Sequence, residues 1–123
     1  MTINSRAKGA AGERELAECF RSMGYTARRS QQYSGADATS DLLVEELPGV
    51  LVECKRVQRL NIEEAMAKAV LDAAPHLKTP MICHRKNGSE WLVTVRMKDL
   101  HTFIERMQRG MARRSTGPAH EVK

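Results

Sequence analysis

A chain of 123 residues that is 41% hydrophobic can bury one modest core, and with aromatics at 4% that core must rest on Leu, Val, Ile, Met and Ala. Its formal net charge of +5 favours a polyanionic partner, nucleic acid ahead of an acidic membrane surface. No run approaches the ~18 apolar residues that cross a bilayer, and residues 1–10 lack the apolar block of a signal peptide, so a cytoplasmic protein without a membrane segment is expected.

The first predicted element is a helix over residues 8–23, where Leu16, Ala17, Phe20 and Met23 recur at helical spacing and Gly24 follows as a stop. Gly9 and Gly12 weaken its start by about 1 kcal/mol each relative to alanine. Residues 25–29 read as a short edge strand. Residues 30–40 are polar and aperiodic and contain Gly35, which predicts a mobile loop. Two apolar runs, 41–47 and 50–57, flank Pro48-Gly49 and predict an antiparallel hairpin.

Asn61, with Glu64 three residues on, resembles a capping box. Beyond it Ile62, Ala65, Met66, Ala69, Val70 and Ala73 mark one face of a second helix that must end near Pro75. Residues 81–84 and 91–95 predict two strands about the Asn87-Gly88 turn. Asp99 is placed to cap a third helix with the stripe Leu100, Phe103, Ile104 and Met107. The expected fold is α/β or α+β in the order αβββαββα, a small mixed sheet flanked by helices. Residues 1–110 would form one domain and 111–123 a basic, disordered tail.

Cys19, Cys54 and Cys83 are odd in number and widely spaced, which predicts buried reduced thiols rather than disulfides or a zinc site. His76, His84, His101 and His120 show no ligand spacing and are read as non-catalytic. The chemistry concentrates in the hairpin. Side chains two apart on a strand share a face, so Glu53 and Lys55 point together while Val52 and Cys54 point the other way. Pairing about the turn can bring Asp41 to the same side. Glu13 stands in line with Leu16, Ala17 and Phe20, an acid on the inward stripe of the first helix.

Two carboxylates 4 Å apart repel by roughly 4 kcal/mol at an effective dielectric of 20, and a divalent cation removes that penalty. Oxygen ligands without histidine or thiolate favour Mg²⁺ or Mn²⁺. Phosphodiester hydrolysis needs a barrier lowered by about 8–23 kcal/mol, of which positioning supplies about 7–11, so electrostatics must add to alignment. Asp41 and Glu53 are assigned to the cation, Lys55 to the water or the phosphate oxygens, and Glu13 to a water-mediated role. Plainer readings stand beside these: Glu-x-Lys as solvated alternation, Asp41 as a turn cap after Ser40, Glu13 as the partner of an arginine. The combination on a basic chain favours a metal-dependent nuclease. The alternatives are a nicking or restriction-type nuclease of the same fold, or a nucleic-acid-binding module without catalysis.

Arg28 and Arg29 precede the loop, and Arg56 and Arg59 follow the acid, so cations flank the site on both sides and are candidates for DNA phosphates. Arg113 and Arg114 are as readily solvating as DNA-binding. Tyr33 could stack on an unpaired base, although a lone loop aromatic is more often simply exposed. Met66, Met97, Met107 and Met111 are core or interface filler, with a dimer seam on the third helix.

Lys8-Gly9, Glu13-Arg14-Glu15-Leu16, Ser40-Asp41 and Glu53-Cys54-Lys55, in that order, resemble the PD-(D/E)xK nuclease superfamily, especially the archaeal and phage Holliday-junction resolvases, over residues 6–72. The resemblance implies a restriction-endonuclease-like core with Glu13, Asp41, Glu53 and Lys55 in catalytic positions and Ser34, beside Gly35, as a loop serine. It further implies Mg²⁺, with Mn²⁺ as substitute, held by Asp41, Glu53, the backbone carbonyl of Cys54 and Glu13. Lys8 would join Arg28, Arg29, Arg56 and Arg59 on branched DNA, and a homodimer would present two active sites to a four-way junction. Two departures stand out. Ser40 occupies the position of the motif's proline, and residues 30–40 lack the basic side chains expected to grip a junction.

Overall fold

The computed structural model describes residues 5–30 and 40–115, with side chains described for 9–30 and 40–112. Ser34, Tyr33, most of the predicted loop and residues 116–123 therefore lie outside the described residues, as do the side chains of Lys8, Arg113 and Arg114.

Helix α1 spans Ser5–Ser22, followed by β1 Ala27–Arg29, β2 Leu42–Val44, β3 Val50–Arg56, α2 Ile62–Ala73, β4 Thr79–Arg85, β5 Leu92–Thr94 and α3 Leu100–Ser115. The five strands form one mixed sheet in the order β1-β2-β3-β4-β5. β1, β2 and β3 pair antiparallel in succession. β3 and β4 pair parallel over seven residues, and β5 returns antiparallel. A parallel pair needs a crossover, and α2 supplies it.

Each long helix finds its face through the period-two alternation of β3. Val50 and Val52 join Leu16, Ala17 and Phe20 of α1 in the larger core, which Cys54, Phe103 and Met107 extend. Leu51 points the other way and packs with Ile82 beneath Met66, Ala69 and Ala73 of α2. Gly12 lets α1 lie close to β3: a Cβ there would come within 2.7 Å of the Arg56 Cβ. A glycine that costs helix propensity thus permits the approach.

α1 ends in a Schellman arrangement. Gly24 has φ +95°, its amide donates to the Arg21 carbonyl at 2.9 Å, and the Tyr25 amide donates to the Phe20 carbonyl at 3.1 Å. The Tyr25 and Phe20 rings meet edge to face, with centroids 5.6 Å apart. Met23 is therefore outside the helix and exposed, contrary to the sequence pattern.

β2 ends at Val44 rather than at residue 47. Glu45 and Glu46 turn the chain, the Glu46 carboxylate accepts from the Thr26 amide at 2.9 Å and its hydroxyl at 2.8 Å, and Leu47 drops into the core. Asn61 caps α2 as expected, its Oδ1 accepting from the Glu64 amide at 3.0 Å. The Asp99 carboxylate is held by Arg96 Nε at 2.8 Å, within a short 3₁₀ turn at Met97–Asp99. Phe103 and Met107 pack inward, but Leu100 and Ile104 are exposed. α3 continues through Gly110 to Ser115, and the missing side chain of Gly110 lets the helix lie against the Glu46 backbone, where any Cβ would collide. The three cysteines are free, with Cys83 buried and Cys19 and Cys54 half-buried.

Candidate active site

The hairpin register sets the central pair. Leu42 pairs with Val52, so Asp41 stands one step on, opposite Glu53, and residues opposite each other in an antiparallel pair share a face. The Asp41 amide donates to the Val52 carbonyl at 3.0 Å, and Asp41 Oδ2 accepts from the Cys54 amide at 2.8 Å. Ser40 fixes the approach, its hydroxyl donating to the Leu42 carbonyl at 2.7 Å and accepting from the Val52 amide at 3.1 Å. That position, where the motif has proline, is thus filled by a hydroxyl that locks the strand edge.

Glu53 is 7% exposed and lies within hydrogen-bonding reach of the Asp41 carboxyl. Burial first, then the Asp41 charge and that hydrogen bond, push its pKa up to about 8. Without a cation the pair therefore retains a proton near neutrality. Lys55, two residues on and on the same face, and Lys68 of α2 oppose the shift. Lys68 also binds Asp72 at 3.0 Å, and this bond, followed by the charges of Asp72, Glu53 and Asp41, holds its pKa above the usual lysine value.

Glu13 approaches from the α1 side. It is nearly buried and bonded to Arg29 Nε at 2.9 Å, the arginine-partner reading of that acid. Its charge is felt at the Cys54 thiol, which burial and then Asp41 and Glu13 push far upward, but Glu13 is not among the groups that shift Glu53. Among the described residues no three acids, histidines or cysteines converge as a metal-binding group. The structure thus joins Asp41, Glu53 and Lys55 and sets Glu13 apart with its arginine. The donor set at Asp41 and Glu53 nonetheless fits a hard divalent cation: two carboxylates and the Cys54 peptide at one edge, one carboxyl kept protonated by burial and by its acidic neighbour.

The candidate DNA cations divide. Arg28 and Arg59 are exposed, while Arg29 is tied to Glu13. Arg56 is engaged by Glu15 at 2.8 Å and by Asn87 Oδ1 at 2.8 Å, and Arg85 shares Glu15 at 3.2 Å. Two neighbours escape sequence reading. Lys68 sits at the border of the α2 stripe, a position with no distinguishing spacing. His84 is brought beside Lys55 only by the parallel β3–β4 register.

A mixed sheet with a helix on each face, and an Asp/Glu-x-Lys set at the hairpin edge, defines a nuclease of the PD-(D/E)xK superfamily. The family model described as archaeal Holliday junction resolvase (Hjc) matches residues 4–112, and the chain belongs to that family. The same fold occurs in the solved structure of Hjc, a Holliday junction resolvase from the archaeal hyperthermophile Archaeoglobus fulgidus. That match has 16% identity and a TM-score of 0.50, and it covers 68% of this chain and 72% of that one. No curated protein matches. Family membership makes the chain a structure-selective nuclease acting on branched DNA, with a divalent metal requirement.

Proposed function

We propose that the protein resolves four-way DNA junctions by Mg²⁺-dependent phosphodiester hydrolysis, with Mn²⁺ as substitute, at a site built from Asp41, Glu53 and Lys55. The observation that carries this reading is the Asp41–Glu53 pair, in which the half-buried Asp41 faces the buried Glu53 across the hairpin with Lys55 on the same face. Asp41, Glu53 and the Cys54 carbonyl would hold the cation. When bound, it supplies Lewis acidity at the phosphoryl group and a more acidic water.

The chain's own groups do the rest. Lys55 donates to a non-bridging phosphate oxygen as charge develops there, a role suited to a compact ammonium. Asp41 is held by the Cys54 amide and cannot swing away, so the acceptor geometry is preset before DNA arrives. Glu13, bonded to Arg29, orients a water or the guanidinium at the site's margin rather than ligating directly. Ser34 and Lys8 retain their roles as catalytic-loop serine and DNA contact on the resemblance alone. Arg28 and Arg59, exposed, track the phosphates, and Arg29 and Arg56 contribute if DNA displaces their carboxylate partners.

A homodimer, with residues 1–110 as the nuclease domain, would place two such sites on the two continuous strands of a junction. Leu100, Ile104 and Met111, four and seven residues apart along α3, are exposed on one helix face that a second copy would cover. The compartment is that of the DNA, the cytoplasm on this reading. A Mg²⁺-dependent cleavage assay on a four-way junction against linear duplex of matched sequence tests the proposal. The junction should be cut in paired, symmetric positions and the duplex left intact; equal cutting of both would favour a nicking or restriction-type nuclease.

A further inference from the structure

A cleft of about 290 Å³ opens between the connection from β3 to α2 and the turn from β4 to β5. It adjoins the proposed active site. Lys55 pairs with His84 across the parallel β3–β4 ladder, so the two side chains share a face on strands about 4.8 Å apart. His84 lines the cleft, its Nε2 2.8 Å from Thr94 Oγ1 of β5. Leu92, opposite His84 on β5, Leu60 and Ile62 make the apolar walls, and Gln58 adds a carboxamide. Leu92 is 55% exposed, an apolar side chain left open beside the path of a nucleic acid.

The lining does not suit a phosphate. Arg85 is already held by Glu15, and Lys86 shares the lining with Glu90, so there is no surplus of positive charge. A flat heteroaromatic ring suits it better: apolar walls to sandwich the faces, an imidazole to stack or hydrogen-bond, and an amide for the edge. The volume falls just below the roughly 300–1,000 Å³ of small-molecule sites, room for one base rather than a base pair. Successive stacked nucleotides are about 3.4 Å apart, so a phosphate at Lys55 brings its neighbouring nucleotide to the mouth of the cleft.

We propose that this cleft receives one unstacked base of the cleaved strand, adjacent to the scissile phosphate, and so favours branched DNA over continuous duplex. At a branch point a base leaves the stack at low cost, whereas within a duplex it must break pairing and stacking on both sides. The proposal rests on the nuclease reading above and adds a subsite to it.

The test uses four-way junctions carrying 2-aminopurine at each nucleotide flanking the cleaved bond. Fluorescence is recorded on binding without divalent metal, and cleavage is then started with Mg²⁺. The expected result is a severalfold rise at one flanking position, at least halved in His84→Ala and in Leu92→Ser. Both variants should lose about tenfold in junction cleavage and in the junction-to-duplex preference. His84→Gln, which can still bond Thr94, should recover part of both readouts. Leu92→Ser changes an exposed side chain on the last strand of the sheet, so its effect is not one of folding. Wild type that cuts the junction with flat fluorescence at every flanking position, or variants that keep the full rise and preference, would overturn the cleft. Wild type that cuts no junction would instead remove the nuclease reading.

Discussion

The two faces of the sheet at the end where Asp41 and Glu53 meet carry the same kinds of charge and treat them in opposite ways. On the α1 face the described acids are matched by arginine: Glu13 has Arg29, Glu15 has both Arg56 and Arg85, and Glu18 has Arg21. On the α2 face Asp41 and Glu53 meet each other, and the nearby lysines only moderate the repulsion. Compensation by arginine stabilises a fold without leaving capacity for a ligand. The mismatch on the other face stores an electrostatic demand that an external cation meets.

The largest expected effect is on chemistry at the mismatched face. Glu53→Ala and Lys55→Ala should each slow junction cleavage by about 10²–10³-fold or more while leaving the far-ultraviolet circular dichroism and most of the DNA affinity in place. Cleavage within a few-fold of wild type in either variant would erase the distinction between the faces.

Next in size is the coupling between pH, metal and stability. Folded Glu53 titrates near 8 against an ordinary 4.5, so between those values the folded chain holds a proton that the unfolded chain has released. This contribution is fully present below about pH 4.5 and is lost as the pH rises toward 8. Metal-free protein should therefore lose thermal stability across that window from this group. Glu53→Gln should flatten the loss, and the Mg²⁺-induced rise in Tm should be larger at pH 8 than at pH 6. A Mg²⁺ effect equal at both pH values, or retained in Glu53→Gln, would count against the pair.

Smaller changes are expected on the matched face. Glu13→Gln should reduce cleavage by roughly tenfold, less than Glu53→Gln, because it loosens Arg29 without touching the central pair. Glu15→Gln should cost at most about 1 kcal/mol, since the pairs are partly exposed, and should strengthen DNA binding as Arg56 and Arg85 become available. A filter-binding titration across salt concentrations reads this as a steeper slope. An unchanged slope would mean that neither arginine faces DNA.

Much of this was legible in the sequence where local periodicity decides. The amphipathic stripes of α1 and α2, the Asn61 cap and the Glu53–Lys55 alternation follow from spacing alone, as does the order of elements. What was not legible depends on contacts between distant segments. The early end of β2 comes from Glu46 reaching Thr26, twenty residues away. The exposure of Leu100 and Ile104 reflects how α3 sits on the sheet, and no stripe in α3 reports it. Glu13 lies on the inward stripe, yet which acid it would join depended on the face α1 covers, and Arg29 answers it first. His84 carried no motif, because only the parallel register puts it beside Lys55.

Calorimetric titration of the metal-free protein with Mn²⁺ at pH 7, repeated in buffers of different ionisation enthalpy, tests the Asp41–Glu53 pair most directly. Binding should release close to one proton, because Glu53 is largely protonated there, and both the binding and the release should vanish in Asp41→Asn. Binding without proton release, or binding that survives Asp41→Asn unchanged, would show that the cation sits elsewhere.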